Sequence, residues 1–419
     1  MKIIEANNRR AIADLLAHGA DVDRTFERRV RGIVDRVRVG GDAALAGFAQ
    51  RFDNVTPPLE VTQAEMRQQA SLAGAEVCRA LRTAARNIAR VAARQMPKHF
   101  DLPIAPGVTV EQRIEPIASV GCYVPGGRFP LPSSLLMTVV PARVAGVRDI
   151  VVVCPRPEPA VMAAALEAGV SRLFRVGGAH AIAALAYGTA TVPRVDKIVG
   201  PGNRYVAVAK AIVAADCAID FYAGPTEIVV VAGAGRASWI AADLAAQAEH
   251  DPDARAVFIT WNRSLATRVA EAVASHDRGE IAERSLAAHG AIVVTGTADE
   301  AMALANRMAP EHLVVDRETL TRRPLTAGSV FVGPFSAQAA GDYAIGSNHV
   351  LPTGGAARFR GGLGAADFVR VMSVQRVTRT GLARLAPTIL PLARAEGLAA
   401  HAESIEIRMQ PSTTVRSQP

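Results

Sequence analysis

Apolar residues along this chain recur in two rhythms, and the change between them divides it. Residues 1–22 read as a short helix with His18 near its end, and 23–97 keep a helical spacing. Thr62 precedes one helix, and Ala75–Gln95 is long, amphipathic and rich in arginine. From Val108 short apolar runs take over, each closed by a glycine turn. Residues 108–114 alternate, and 117–124 form a strand ending in Val124-Pro125-Gly126-Gly127, with Ser133 opening a helix. The runs 149–154 and 172–176 are strands, and the second leads through Gly177-Gly178 into a helix over 179–187. The strand 197–199 passes through Gly200-Pro201-Gly202-Asn203 into a helix over 204–214. Strand, turn and helix in this rhythm predict a parallel, doubly wound α/β layer.

A second series follows. Strands are expected at 227–232, 256–260, 291–295, 313–315 and 329–332, with helices between, then helix and tail from about Gly361. Two similar α/β halves point to a duplicated fold. Glycine turns between strand and helix are where anionic cofactors bind. The dinucleotide fingerprint is incomplete, because Gly233-Ala234-Gly235 lacks the third glycine.

Some polar residues do not fit a core. Ser238 can cap a helix that Pro252 stops, and on it Asp243, Gln247 and His250 share one face. Read alone, that stripe favours an ordinary surface helix. Glu311 and His312 open an apolar strand, so they point to opposite sides unless the chain bends there. Glu and His at a strand mouth are natural general bases, although a loop pair would read the same way. Asp342 and His349 lie in glycine-rich loops, which carry function more often than packing. His401 follows a long helix, where it also reads as a capping histidine. His276 and His289 read as exposed.

Composition narrows the function. Half of the 419 residues are hydrophobic, ample for two cores. The net charge is +8, yet lysine occurs only at 2, 98, 197 and 210, and the arginines are scattered rather than clustered, with no aromatics interleaved as stacking platforms. Nucleic-acid binding is therefore unsupported. The start of the chain has no signal-peptide pattern, no apolar run spans a membrane, and the four cysteines lack CxxC spacing. A cytoplasmic enzyme with reduced thiols is expected. Cys122 reads as a buried small hydrophobe before it reads as a nucleophile.

Linked motifs then carry a resemblance over nearly the whole chain. They are CYVPGG (Cys122–Gly127), VGGAHAIAALAYGT (Val176–Thr189), IVGPGNRYVAVAK (Ile198–Lys210) and FYAGPTEIVVVA (Phe221–Ala232). AAQAEHDPDA (Ala245–Ala254), NRMAPEHL (Asn306–Leu313), GDYAIGSNHVLPTGGAARF (Gly341–Phe359) and AEGLAAHAESIEIR (Ala395–Arg408) follow in order. The chain resembles the histidinol dehydrogenase family.

The resemblance implies a zinc- and NAD-dependent enzyme that oxidises L-histidinol through the aldehyde to L-histidine, the last step of histidine biosynthesis. It implies Gln247, His250, Asp342 and His401 as zinc ligands, with His401 supplied by the other subunit of a homodimer. Glu311 and His312 would be the acid/base pair. Thr226, His349 and Glu396 would line the substrate pocket, and Tyr123, His180 and Asn203 would contact NAD. The fold expected is α/β with two Rossmann-like domains, a helical N-terminal region and a C-terminal helical tail. An arm covers 1–22. A discontinuous domain of 23–105 and 233–360 would carry the metal and acid/base residues, 106–232 would form the cofactor side, and 361–419 would reach the partner subunit.

The chain departs from the family pattern at several positions. His180 stands where Gln is usual, Val314 replaces an acidic residue, and Arg128-Phe129 is bulky. The run Arg360-Gly361-Gly362 differs from the usual small polar residues. Ala344–Ser347 is also similar to sister dehydrogenases that oxidise other polar alcohols, including sulfonated diols.

Overall fold

The short apolar runs pair into three sheets. The structure, a computed structural model, describes residues 1–17, 23–126, 129–222, 224–275 and 279–410. His18, Arg128 and His276 therefore lie outside the described residues. In chain order the strands are β1 (Lys2–Glu5), β2 (Glu60–Val61), β3 (Phe100–Ala105), β4 (Val108–Pro116) and β5 (Ser119–Tyr123). Then come β6 (Asp149–Val153), β7 (Arg172–Phe174), β8 (Lys197–Val199), β9 (Ala218–Ile219) and β10 (Glu227–Val231). The last are β11 (Arg255–Thr260), β12 (Ala291–Val294), β13 (His312–Val315), β14 (Ser329–Val332) and β15 (Val369–Val377).

Two compact units result. The first, Met1–Gln95 with Ile117–Phe368, holds both six-stranded sheets. One sheet runs β2-β7-β6-β5-β8-β9, parallel except for the β2 edge, and the other runs β1-β12-β11-β10-β13-β14, parallel throughout. In each, the β/α series is ordered third, second, first, fourth, fifth. The duplicated, doubly wound α/β arrangement expected from the chain's rhythm is thus present.

Period-two alternation decides which face each residue covers. Ile228, Val230, Phe258 and Val314 pack with Leu244 and Ala248 of the helix Ala237–Ala248 on one face. Val229, Val231, Val257 and Leu313 pack with Met302 and Ala305 of the helix Ala298–Met308 on the other. Both faces are covered, which is why these strands read as unbroken apolar runs.

Several expectations are corrected. The strand β10 belongs to the second sheet, between β11 and β13, so the boundary at 232/233 cuts a β/α unit at its own turn. The helix Arg24–Phe48 packs its buried Val30, Val34, Val37 and Leu45 into the first sheet's core, so it belongs with 106–232 rather than with 233–360. The arm at the chain start contributes β1, paired with β12, as well as a helix at Arg9–Leu16.

The second unit is Met96–Pro116 with Val369–Pro419. Its sheet is β15-β4-β3, antiparallel, followed by the helices Arg379–Ala395 and Ala399–Met409. The expected helical tail therefore starts with a nine-residue strand. Glu111 on β4 accepts from Arg113 and from Arg376 of β15, which ties the two strands. Among the described residues no helix is long and apolar enough to cross a membrane, and the four cysteines are free thiols. Cys122 is fully buried, and burial pushes its thiol up to about 12, which removes it as a nucleophile.

A buried ion pair fixes the turn after β8. The Lys210 ammonium donates to the Gly200 carbonyl at 3.0 Å and pairs with Asp220. Asp220 in turn accepts from Gly200 N at 2.8 Å and Phe221 N at 2.7 Å. Gly200 has φ +114°, and a Cβ there would meet the Tyr123 carbonyl oxygen at 2.2 Å. Lys210→Met strands the Asp220 charge and should lower the unfolding free energy by about 3–5 kcal/mol in urea denaturation. A loss no greater than that of Lys2→Met would contradict this role.

Candidate active site

The second sheet's amino-terminal edge gathers most of the residues the sequence singled out. Glu311 and His312 do converge, with His312 Nδ1 3.8 Å from Glu311 Oε2. The chain bends just before them, since Ala309 caps the preceding helix in the left-handed region at φ +48°. Gly328 N and Ser329 N then hold the Pro310 and Glu311 carbonyls, each at 2.9 Å.

Glu311 is buried against the start of β10. Its Oε2 accepts from the Thr226 hydroxyl at 2.5 Å and from Glu227 N at 2.9 Å. Burial pushes its carboxyl up to about 8, with those two donors pulling the other way. The Thr226 hydroxyl oxygen also accepts from the Gln247 amide, so Gln247, Thr226 and Glu311 form one chain of hydrogen bonds.

His312 is 3% exposed. Its Nδ1–H donates to the Glu227 carbonyl at 3.2 Å, and its Nε2 accepts from the Gln338 amide at 3.3 Å. Burial lowers its pKa to about 4 against the opposing Asp342 charge, so the ring is neutral with Nε2 as its basic nitrogen. The Gln338 amide nitrogen also donates to Asp342 Oδ2 at 2.7 Å. Asp342 Oδ1 lies 4.0 Å from His312 Nε2 and 3.9 Å from His349 Nδ1. His349 is pinned from both sides, donating from Nδ1 to the Asp342 carbonyl at 3.0 Å and accepting at Nε2 from Ser134 at 3.2 Å.

The helix behind this site differs from the expected one. It spans Ala237–Ala248 with Arg236 as its N-cap, so Ser238 lies inside the first turn and His250 beyond the end. Gln247 is fully buried and His250 exposed, close enough that its charge opposes protonation of His312 and His349. Gln247 Oε1 is buried with no hydrogen-bond partner. Such an oxygen costs about 1–3 kcal/mol unless something coordinates it. The donor set around it, an amide oxygen, a carboxylate and an imidazole, suits a borderline divalent ion. Among the described residues no three His, Cys, Asp or Glu groups are placed together to hold a metal ion.

Glu396 and His401 belong to the second unit, and both are exposed there. The candidate cofactor residues stand at the carboxyl ends of the first sheet's strands. The Tyr123 hydroxyl accepts from Gly178 N at 3.1 Å, and burial raises its pKa. His180 Nε2 lies 2.8 Å from Asp53 Oδ2, which also accepts from Gly177 N at 2.9 Å. Tyr123 and His180 thus brace one glycine turn from two sides. Asn203 is exposed and caps the helix Arg204–Val213, accepting from Tyr205 N and Val206 N at 3.0 and 3.2 Å. Val314 is a core residue and Phe129 is exposed.

Sequence reasoning missed Gln338 and Glu227. Gln338 precedes Asp342 by one helical turn, a spacing that would have found it. Glu227 gives its N–H to Glu311 and its carbonyl to His312, and backbone contacts leave no trace in the residue type.

The Glu311 carboxyl gives a stability signature. Its ordinary value is 4.5 and its folded value about 8, so between them the native state keeps a proton that the unfolded chain has lost. Stability should fall as pH rises through that window, and Glu311→Gln should remove that part of the fall. Urea midpoints of both proteins at about pH 5 and about pH 8.5 check this, and parallel pH profiles would refute it.

Comparison with known proteins identifies the family. The family profile "Histidinol dehydrogenase" matches residues 17–409. Histidinol dehydrogenase of Geobacter sulfurreducens is 43% identical, over 98% of this chain and 99% of its own. That of Methanothermobacter thermautotrophicus is 45% identical over the same shares. The crystal structure of histidinol dehydrogenase from Elizabethkingia anophelis superposes with a TM-score of 0.92 at 32% identity, covering 98% of each chain. The chain belongs to the histidinol dehydrogenase family.

Proposed function

We propose that this chain is a zinc- and NAD-dependent histidinol dehydrogenase, oxidising L-histidinol through L-histidinal to L-histidine with two hydride transfers to NAD. That reaction is the last step of histidine biosynthesis, and a cytoplasmic homodimer is the form proposed. The observation that carries this reading is the second sheet's edge. There a neutral His312, a protonated Glu311 and the orphaned Gln247 oxygen stand together.

Gln247 Oε1, His250 and Asp342, completed by His401 of the partner subunit, would hold the zinc. When bound, zinc supplies a Lewis acid that orients a substrate bearing imidazole and amine donors. Thr226, His349 and Glu396 would shape the pocket around that substrate. His312 takes the hydroxyl proton at Nε2 as the first hydride departs, and the Glu227 carbonyl steadies the imidazolium through Nδ1–H. At the aldehyde stage Glu311, once deprotonated, takes a proton from the water that adds to the carbonyl carbon. His312, its first proton released to solvent, then takes a hydroxyl proton from the hydrate as the remaining hydrogen on that carbon passes as hydride to the second NAD, and the acid formed ionises to the carboxylate. Tyr123, His180 and Asn203 would receive NAD at the first sheet, whose strand order supports a Rossmann-like reading. His180 is already committed to Asp53, so its contribution there is to hold the glycine turn in place.

Purified protein should form NADH from L-histidinol, lose activity to a chelator and regain it with zinc. His312→Asn and Glu311→Gln should each cut kcat by about 10²–10⁴. Turnover of another polar alcohol without turnover of histidinol would overturn the substrate assignment.

The shared site makes a second prediction. His250→Ala and His401→Ala homodimers should both be inactive, while an equal mixture regains about a quarter of wild-type activity in hybrid dimers. No recovery with hybrids demonstrably formed would remove His401 from the partner's site.

A further inference from the structure

The second sheet has another end. Opposite the edge carrying Thr226, Glu311 and His312, the carboxyl ends of β10, β13 and β14 open into a cavity of about 360 Å³. Its walls include Val230, Trp239, Ile240, Asp243 and Asp316. Between β10 and β13 the strand order reverses, and open α/β sheets bind ligands outside the carboxyl ends at that reversal.

The chemistry of this crevice departs from a nucleotide site. Gly233 N and Ala234 N occupy the position of a phosphate-cradling turn, yet both donate to Asp316 Oδ2, at 2.8 and 3.2 Å. Arg317 clamps that carboxylate with two further bonds, at 2.8 and 2.7 Å. The chain's own carboxylate fills the anion seat, so a phosphate finds those amides taken. The two arginines at the rim are also engaged, Arg236 over the Trp239 ring at 4.9 Å and Arg317 over Trp261 at 5.6 Å.

Asp243 is the exception. It is half-buried in the cavity wall, and among the described residues it makes no hydrogen bond or ion pair. Burial alone pushes its carboxyl up to about 6. An uncompensated carboxylate beside an indole face and aliphatic walls is complementary to an organic cation with an apolar body.

We propose that this cavity binds a small, unphosphorylated organic amine, with its apolar body against Trp239 and Ile240 and its ammonium on Asp243. The site does not depend on the catalytic reading of the opposite edge.

Trp239 and Trp261 are the only tryptophans, so Trp261→Phe leaves the cavity its own fluorescent reporter. That protein is titrated with phenethylamine, phenylacetate and ADP while Trp239 emission is followed. Calorimetry with phenethylamine is run on wild-type and His250→Ala proteins. The expected result is saturable quenching by the amine alone, retained binding in His250→Ala, and affinity about tenfold weaker or worse in Asp243→Asn. Four results would each overturn the proposal: no saturation by the amine, equal quenching by phenylacetate or ADP, loss of binding in His250→Ala, or unchanged affinity in Asp243→Asn. If Asp243→Asn fails to fold, the amine-against-carboxylate comparison and the His250→Ala calorimetry still decide.

Discussion

The parallel pairing of β10 with β13 is the contact on which the rest depends. It sets Ile228 beside His312, and so places Thr226 against Glu311, 85 positions further along the chain, with Glu227 beside it. That register orients Glu311 and His312. Glu227 shows it most clearly, because its N–H steadies one of these side chains and its carbonyl the other. A shift of one residue would turn His312 to the opposite face of the sheet and separate the pair.

Burial then divides the labour between the two neighbours. Glu311 and His312 are both almost fully covered, and desolvation disfavours the charged form of each. For a carboxylic acid that means holding a proton near neutral pH; for an imidazole it means lacking one. One physical cause thereby leaves two adjacent groups in opposite protonation states, as the proposed mechanism requires. The Thr226 hydroxyl and the Asp342 charge temper the effect from either side.

Much of this was legible in the sequence, and what was not has physical reasons. The strands β10 and β13 announced themselves as apolar runs because both of their faces are covered. Gln247, Asp342 and His349 stood out as polar residues among small and apolar ones. By contrast, β15 alternates as Val-Arg-Val-Met-Ser-Val-Gln-Arg-Val, yet one expected a tail there, because most of it is exposed and it lacks a clear buried face. The four-residue β1 gave no signal, since its partner β12 lies nearly the whole length of the first unit away. The division at 232/233 falls inside one β/α unit, because Gly233–Gly235 is the turn between β10 and the helix after it. His250 was placed on a helix that ends before it, and Gln338 was passed over although it lies one helical turn before Asp342.

The pairing of β1 with β12 also bears on how the chain is made. During synthesis Lys2–Glu5 is made well before Ala291–Val294, which follows only after nearly three hundred further residues. At ribosomal rates of about 5–20 residues per second, that delay is roughly 15–60 s. Throughout it, the N-terminal strand has no partner and the second sheet has no finished edge. The hairpin β3–β4 waits through a somewhat shorter stretch for β15, which is made later still. The first sheet has all its strands once β9 is made, whereas the other two close late, and the nascent chain presents open strand edges that a cell must keep apart.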